Sequence, residues 1–160
     1  MSWTPQQNLA YWEGVLVQAK KGAQAAATAM AKYIAERTAQ DTLRRTMHAP
    51  GEWYNQKAGE PPAYASGNLA ESMFYRSAHD GLRTSAMVGN SADYSRILEF
   101  GCVIVPRAKK KLHWADSGGF WYHDFLELPE HPFLSRTTDE AIEDESLREE
   151  AIEAFRPYDP

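Results

Sequence analysis

Three histidines, His113, His123 and His131, stand ten and eight residues apart, with Glu99, Asp124 and the single cysteine Cys102 as further groups able to bind a metal or attack a carbonyl. In an extended chain, side chains an even number of positions apart share a face, so histidines on strands could converge on one ion. The i, i+4 spacing that sets two ligands on one helix face is absent, as is any Cys-x-x-Cys pair. Cys102 beside one of these histidines would make a thiol nucleophile. Its surroundings, "CVIVP", are instead the apolar setting of an inert buried cysteine. Gly118-Gly119 lacks the lysine and the spacing of a phosphate-cradling loop. A metal- or thiol-dependent hydrolase built on His113, His123, His131 and Cys102 is therefore one reading of the chain, resting on scattered residues and no motif.

The elements that would have to position those residues suggest another. At 160 residues the chain suits one domain, able to bury roughly two-thirds of its unfolded surface. Hydrophobic residues at 43% against 24% charged exclude a wholly disordered chain. No apolar run approaches the roughly 20 residues of a membrane span, and "MSWTPQQNLAYWEG" lacks a basic start followed by an apolar stretch, so a chain made in the cytoplasm is expected. One cysteine fits a reducing compartment.

The net charge of -5 argues against a protein that wraps nucleic acid, but the charge is unevenly spread. Residues 1–48 carry six basic groups (Lys20, Lys21, Lys32, Arg37, Arg44, Arg45) against Glu13, Glu36 and Asp41, a balance of +3. Residues 137–156 carry eight acidic groups against Arg148 and Arg156, a balance of -6. The two ends of the chain thus suit different neighbours, or simply present a solvated acidic helix face.

Residues 1–48 read as an N-terminal helix running from Pro5, behind a Thr4 cap, to about Met47. Leu9, Trp12, Leu16, Ala19, Ala23, Ala26, Met30 and Tyr33 follow at alternating spacings of three and four, one helical face with large residues flanking an alanine centre. Unbroken, such a helix would be about 65 Å long, against about 40 Å for a compact domain of this size. It must project or break, and Gly14, Gly22 and the stretch after Arg37 are the candidate breaks. Projection would favour an assembly protein, because an isolated helix needs another surface to cover its stripe.

Residues 49–67 form a proline- and glycine-rich loop, long for a passive connector, in which Trp53, Tyr54 and Tyr64 suggest docking on a partner or on the domain itself. Residues 68–136 read as a sheet region. "NLAESMFYRSA" and "LRTSAMVGN" flank an Asp80-Gly81 turn, and "SADYSRILEF" is a short helix capped by Ser91 or Asp93 and ended by Gly101. "CVIVP" is a short buried strand, "RAKKK" a basic turn, "LHWA" a strand, "DSGG" a turn and "FWYHDFLEL" a strand. Residues 137–156 read as a C-terminal helix capped by Thr137 or Thr138, with Ala141, Leu147, Ala151, Ala154 and Phe155 on its apolar stripe and Ile142 and Ile152 off its centre. This order predicts an α+β domain, with a long N-terminal helix and a C-terminal helix packed on a small antiparallel sheet.

Three stretches also resemble a known family. "GEPPAYASGNLAESM" is similar to the proline-led "tG-x-L-x-x-S-[IM]" segment of the tail-component family of long-tailed bacteriophages, the neck or tail-completion proteins that join head to tail. "VGNSADYSRILEFG" resembles that family's strand followed by "YA-x-x-x-E-[FY]-G", and "HPFLSRTTDEA" its closing "PFL" and C-terminal helix. "PRAKKKLHWADSGGF" resembles an insertion between the two motifs in many members. The resemblance covers about residues 59 to 155; Cys102 departs from the threonine common after the glycine.

The resemblance implies a structural virion protein without catalytic activity or cofactor, assembled as a six-fold homo-oligomeric ring at the head-to-tail junction. Its neighbours would be a portal-side connector or stopper and the tail terminator or tail tube, with genomic DNA passing through the lumen unread. A tail terminator capping the tube is the alternative within the family. Glu99, Phe100 and Gly101 with Pro132, Phe133 and Leu134 would fix sheet and helix for assembly, with Glu99 a hydrogen-bonding or ion-pair partner. Lys109, Lys110 and Lys111 could meet a neighbouring copy's acidic helix, and Trp53 and Tyr54 would dock on a partner.

Overall fold

A computed structural model describes residues 4–43, 58–62, 67–80, 83–107, 111–116 and 119–159. The fold is α+β, with a long N-terminal helix, C-terminal helices and small antiparallel sheets. Helix α1 spans Pro5–Arg37. Thr4 opens it with a reciprocal cap, its hydroxyl accepting the Gln7 N–H at 3.3 Å while the Gln7 side chain accepts the Thr4 N–H at 2.9 Å. The helix runs through Gly14 and Gly22 without a break. It changes only after Arg37, where Thr38–Leu43 continue as π-helix. The expected end near Met47 lies outside the described residues.

Gly22 has a packing role. A Cβ there would meet the Phe155 ring at 2.6 Å, so the missing side chain admits that ring against the helix. The face of α1 buried in the body is Gly22, Ala31, Ile34 and Ala35, followed by Thr38. This corrects the expected stripe, whose members Leu9, Trp12, Leu16 and Ala23 are exposed. Every residue from Thr4 to Gly14 is exposed.

A short helix α2 (Asn68–Glu71) leads into β1 (Met73–Asp80), which pairs antiparallel with β2 (Arg83–Asn90) in the register Tyr75 with Val88 and His79 with Thr84. The hairpin follows the alternation seen in the sequence; its Gly81 lies outside the described residues. Helix α3 (Ser95–Phe100) has Tyr94 at its N-cap position, one residue after Asp93 and three after Ser91, the expected caps. Ser91 instead donates its hydroxyl to the Ser72 carbonyl at 3.2 Å. Gly101 ends the helix as expected, at φ 64°, and a Cβ there would sit 2.8 Å from the Leu128 carbonyl oxygen.

The rest of the sheet region is two further pairs, so the described residues form three two-stranded antiparallel sheets where one was expected. Strand β3 (Cys102–Ile104) pairs with β6 (Leu126–Leu128), and β4 (Leu112–Asp116) with β5 (Gly119–His123). "FWYHDFLEL" is therefore two strands, parted at Asp124-Phe125. The expected burial of "CVIVP" fails, since Val103 and Val105 are exposed on a sheet only two strands wide.

The single C-terminal helix is likewise two, α4 (Leu134–Glu143) and α5 (Ser146–Phe155), followed by a short 3-10 turn (Arg156–Tyr158). Glu145 turns the chain between them at φ 59°. The guanidinium of Arg37 fixes that corner, reaching the Asp144 carboxylate at 2.8 Å and the Ser146 hydroxyl at 3.0 Å. Leu147, Ala151, Ala154 and Phe155 are half-buried as expected, and Ile142 and Ile152 are exposed. Phe133, 2% exposed, anchors a core with Ala70, packed on by Ala39, Leu69, Met73, Leu98 and Leu134.

Candidate assembly surface

Helix α4 begins without a capping residue of its own. Phe133 precedes it where Ser, Thr, Asp or Asn would normally accept the first N–H groups. Glu99 supplies the acceptors from α3. Its Oε2 accepts the N–H of Phe133 at 3.0 Å and of Leu134 at 3.1 Å, and its Oε1 accepts the N–H of Ser135 at 2.8 Å. Both oxygens are occupied, and the charge faces the positive end of the helix dipole. Burial pushes the Glu99 carboxyl up, but the Ser135 side chain and the three N–H groups outweigh it and hold the carboxyl below its usual range.

Glu99 thereby joins the two stretches "EFG" and "PFL" in space. The expected Thr137 and Thr138 caps are corrected accordingly. Their hydroxyls donate back to the Phe133 and Leu134 carbonyls at 2.7 and 2.8 Å, inside the helix that Glu99 starts. The clasp continues alongside, where the His131 N–H donates to the Leu98 carbonyl at 2.7 Å and the Gly59 N–H to the Glu130 carbonyl at 2.9 Å. The sequence did carry one signal for this joint. An apolar "PFL" at a helix start needs an acceptor from elsewhere, and a glutamate ending a short helix is a carboxylate in want of donors.

The neighbouring side chains face outward. Phe100 is 71% exposed, one residue beyond the buried Glu99, and an open groove between α3 and α4 is lined by Arg96, Phe100, Leu134 and Ser135. Val103, Val105 and Phe125 extend the apolar surface along β3 and β6. Pro132 is half-buried. A second apolar surface lies on α1, where Leu9, Tyr11, Trp12, Leu16 and Val17 are exposed.

Of the basic turn, Lys109 and Lys110 lie outside the described residues. Lys111 is exposed and pairs with Asp124 of its own chain at 3.6 Å, a contact screened by solvent. Trp53, Tyr54 and Tyr64 also lie outside the described residues.

The residues of the hydrolase reading lie on different elements. His131 Nδ1 lies 2.8 Å from the Glu60 carbonyl oxygen, His123 ends β5 opposite Leu112, and His113 stands opposite Tyr122 in β4. Cys102 is half-buried opposite Leu128, and Glu99 is committed to the α4 N-terminus. Among the described residues no three of His, Cys, Asp or Glu are grouped to hold a metal ion. No helix among them is long and apolar enough to cross a membrane.

No protein-family model matches this chain, and neither the curated proteins nor the solved structures hold a match to it.

Proposed function

We propose that this chain is a structural protein of a bacteriophage head-to-tail junction, which acts by assembling into a ring between portal and tail rather than by catalysis. The observation that carries the reading is the Glu99 joint, which brings the two motifs resembling the neck and tail-completion family into one rigid unit and leaves Phe100 outside it. The apolar α3–β3 rim with Phe100, Val103 and Val105 supports it. Large apolar side chains held in water next to one another mark a subunit interface.

The ring has six copies in this reading, joined head to tail by heterologous contacts, with DNA crossing its lumen. A net charge of -5 favours passage over retention, because it repels phosphates. The portal-side connector and the tail tube or its terminator are its neighbours, and the assembled particle is its location.

The test is head–tail joining. Deleting the coding sequence from the phage genome that carries it is expected to leave filled heads and finished tails unjoined, and adding the purified protein is expected to join them. Tails that join normally without the protein would refute the reading.

A further inference from the structure

We propose that two copies of this chain pair antiparallel through the N-terminal two-thirds of α1, with Leu9, Trp12 and Leu16 of each copy packed on Ala26, Ala23 and Ala19 of the other. The inference does not depend on the junction reading. It starts from the period of the stripe. Leu9, Trp12, Leu16, Ala19, Ala23 and Ala26 follow at alternating spacings of three and four, which keeps them on one helical face that a second helix can cover. The chain's own body covers that seam only in part: α1 is buried through Ala31, Ile34 and Ala35 and meets Phe155 of α5 at Gly22, which leaves Ala19 and Ala26 half-buried. Leu9, Trp12 and Leu16 are exposed, and so is Ala23.

Size fixes direction and register. Three large residues precede three alanines, so only an antiparallel partner sets every large residue against a small one: Leu9 on Ala26, Trp12 on Ala23 and Leu16 on Ala19, each pair of positions summing to the same value. A parallel pair in register would stack Trp12 on Trp12 and leave the alanines facing each other across a void. Where Leu9 of the partner would arrive, the surface is already hollow. Ala26 lines an open apolar groove with Ala151, Ile152 and Phe155, and Ile152 is exposed at its edge.

Charge agrees with the same register. Glu13 and Lys20 flank the seam on one side, each next to its innermost layers. In the antiparallel pair Glu13 of each copy therefore lies across from Lys20 of the other, giving two opposite-charge contacts. The large side chains and the surface they cover come to on the order of 1,000–1,500 Å² over both copies, the lower end of specific interfaces.

The test uses the full chain with Cys102→Ser, adding Glu13→Cys and Lys20→Cys together. Positions seven apart on one helix are about 10 Å apart and cannot bridge within a chain, so oxidation is expected to give a covalent dimer through two 13–20 disulfides. Light scattering of the unmodified chain at about 100 µM is expected to give twice 18.1 kDa. Trp12→Ala is expected to abolish the dimer while leaving the denaturation midpoint of the monomer nearly unchanged, because its side chain is largely exposed. Glu13→Lys or Lys20→Glu alone is expected to weaken pairing several-fold, and the two together to restore it. A monomer at that concentration overturns the proposal. So does an oligomer that forms no 13–20 disulfide and ignores the charge reversals.

Discussion

The carboxylate of Glu99 accepts the backbone N–H of Phe133 at 3.0 Å across 34 positions of sequence, and through it one short helix caps another. Removing the carboxylate strands three N–H groups at a half-buried helix start. Glu99→Ala is therefore expected to cost about 2–4 kcal/mol and to lower the melting temperature by roughly 5–10 °C. Glu99→Gln keeps an acceptor and should lose about half as much. Urea denaturation reads both, and a loss no larger than that of the exposed control Glu149→Ala would contradict the cap.

Acid should open the fold at two places. Asp144, which accepts from Ser146 and Arg37, is held at about 2 against an ordinary 3.8. Glu99 is also held below its ordinary 4.5. Both folded-state values are depressed, so each carboxylate adds stability at pH values above its unfolded value and loses it as pH falls through the folded one. The stability lost on acidification is expected below pH 4.5, with the Asp144 part falling between 3.8 and about 2. Asp144→Asn should flatten that lower part and Glu99→Gln the rest. Molar salt should shrink the Asp144 part more, since that side chain is 47% exposed and Glu99 is buried. Equal salt sensitivity of the two parts in pH-dependent urea titrations would contradict this division.

Local chemistry was legible and long-range partnership was not. Thr4, the alternation from Met73 to Asn90 and Gly101 each act within a few residues, and each reads directly from the sequence. The Glu99–Phe133 joint has no local period, because its donors belong to the backbone of a helix far along the chain. The stripe on α1 was visible, but which half of the helix the body covers is decided by where α5 and the hairpin pack. The corner at Asp144 was hidden for a similar reason. No glycine or proline marks it, and Arg37, 107 positions away, is what holds it.

The two glycines inside α1 should respond with opposite sign. Gly14 has nothing within 4 Å of the place a Cβ would take, so Gly14→Ala should gain about 0.5–1 kcal/mol from helix propensity alone. Gly22→Ala gains the same propensity but drives a methyl into the Phe155 ring at 2.6 Å, and a net loss of about 1–2 kcal/mol is expected. Adding Phe155→Leu should recover part of that loss. Equal stabilisation by Gly14→Ala and Gly22→Ala in urea titrations would show that α5 does not rest on α1 at this point.

Glu145 carries the one non-glycine positive φ among the described residues, 59° between α4 and α5. That conformation crowds a Cβ against its own carbonyl, at about 1 kcal/mol for an ordinary side chain, and glycine adopts it freely. The glutamate gives little in return, since its contact with Arg148 at 3.3 Å is between exposed groups. Glu145→Gly is expected to raise stability by about 0.5–1 kcal/mol, and Glu145→Ala, which keeps the strain, to leave it nearly unchanged. If Glu145→Gly instead destabilised more than Glu145→Ala, the corner would have to be a place where the chain turns only because Arg37 pulls Asp144 and Ser146 together. In that case Arg37→Ala should straighten the two helices into one, which the helical circular dichroism signal would report as a gain.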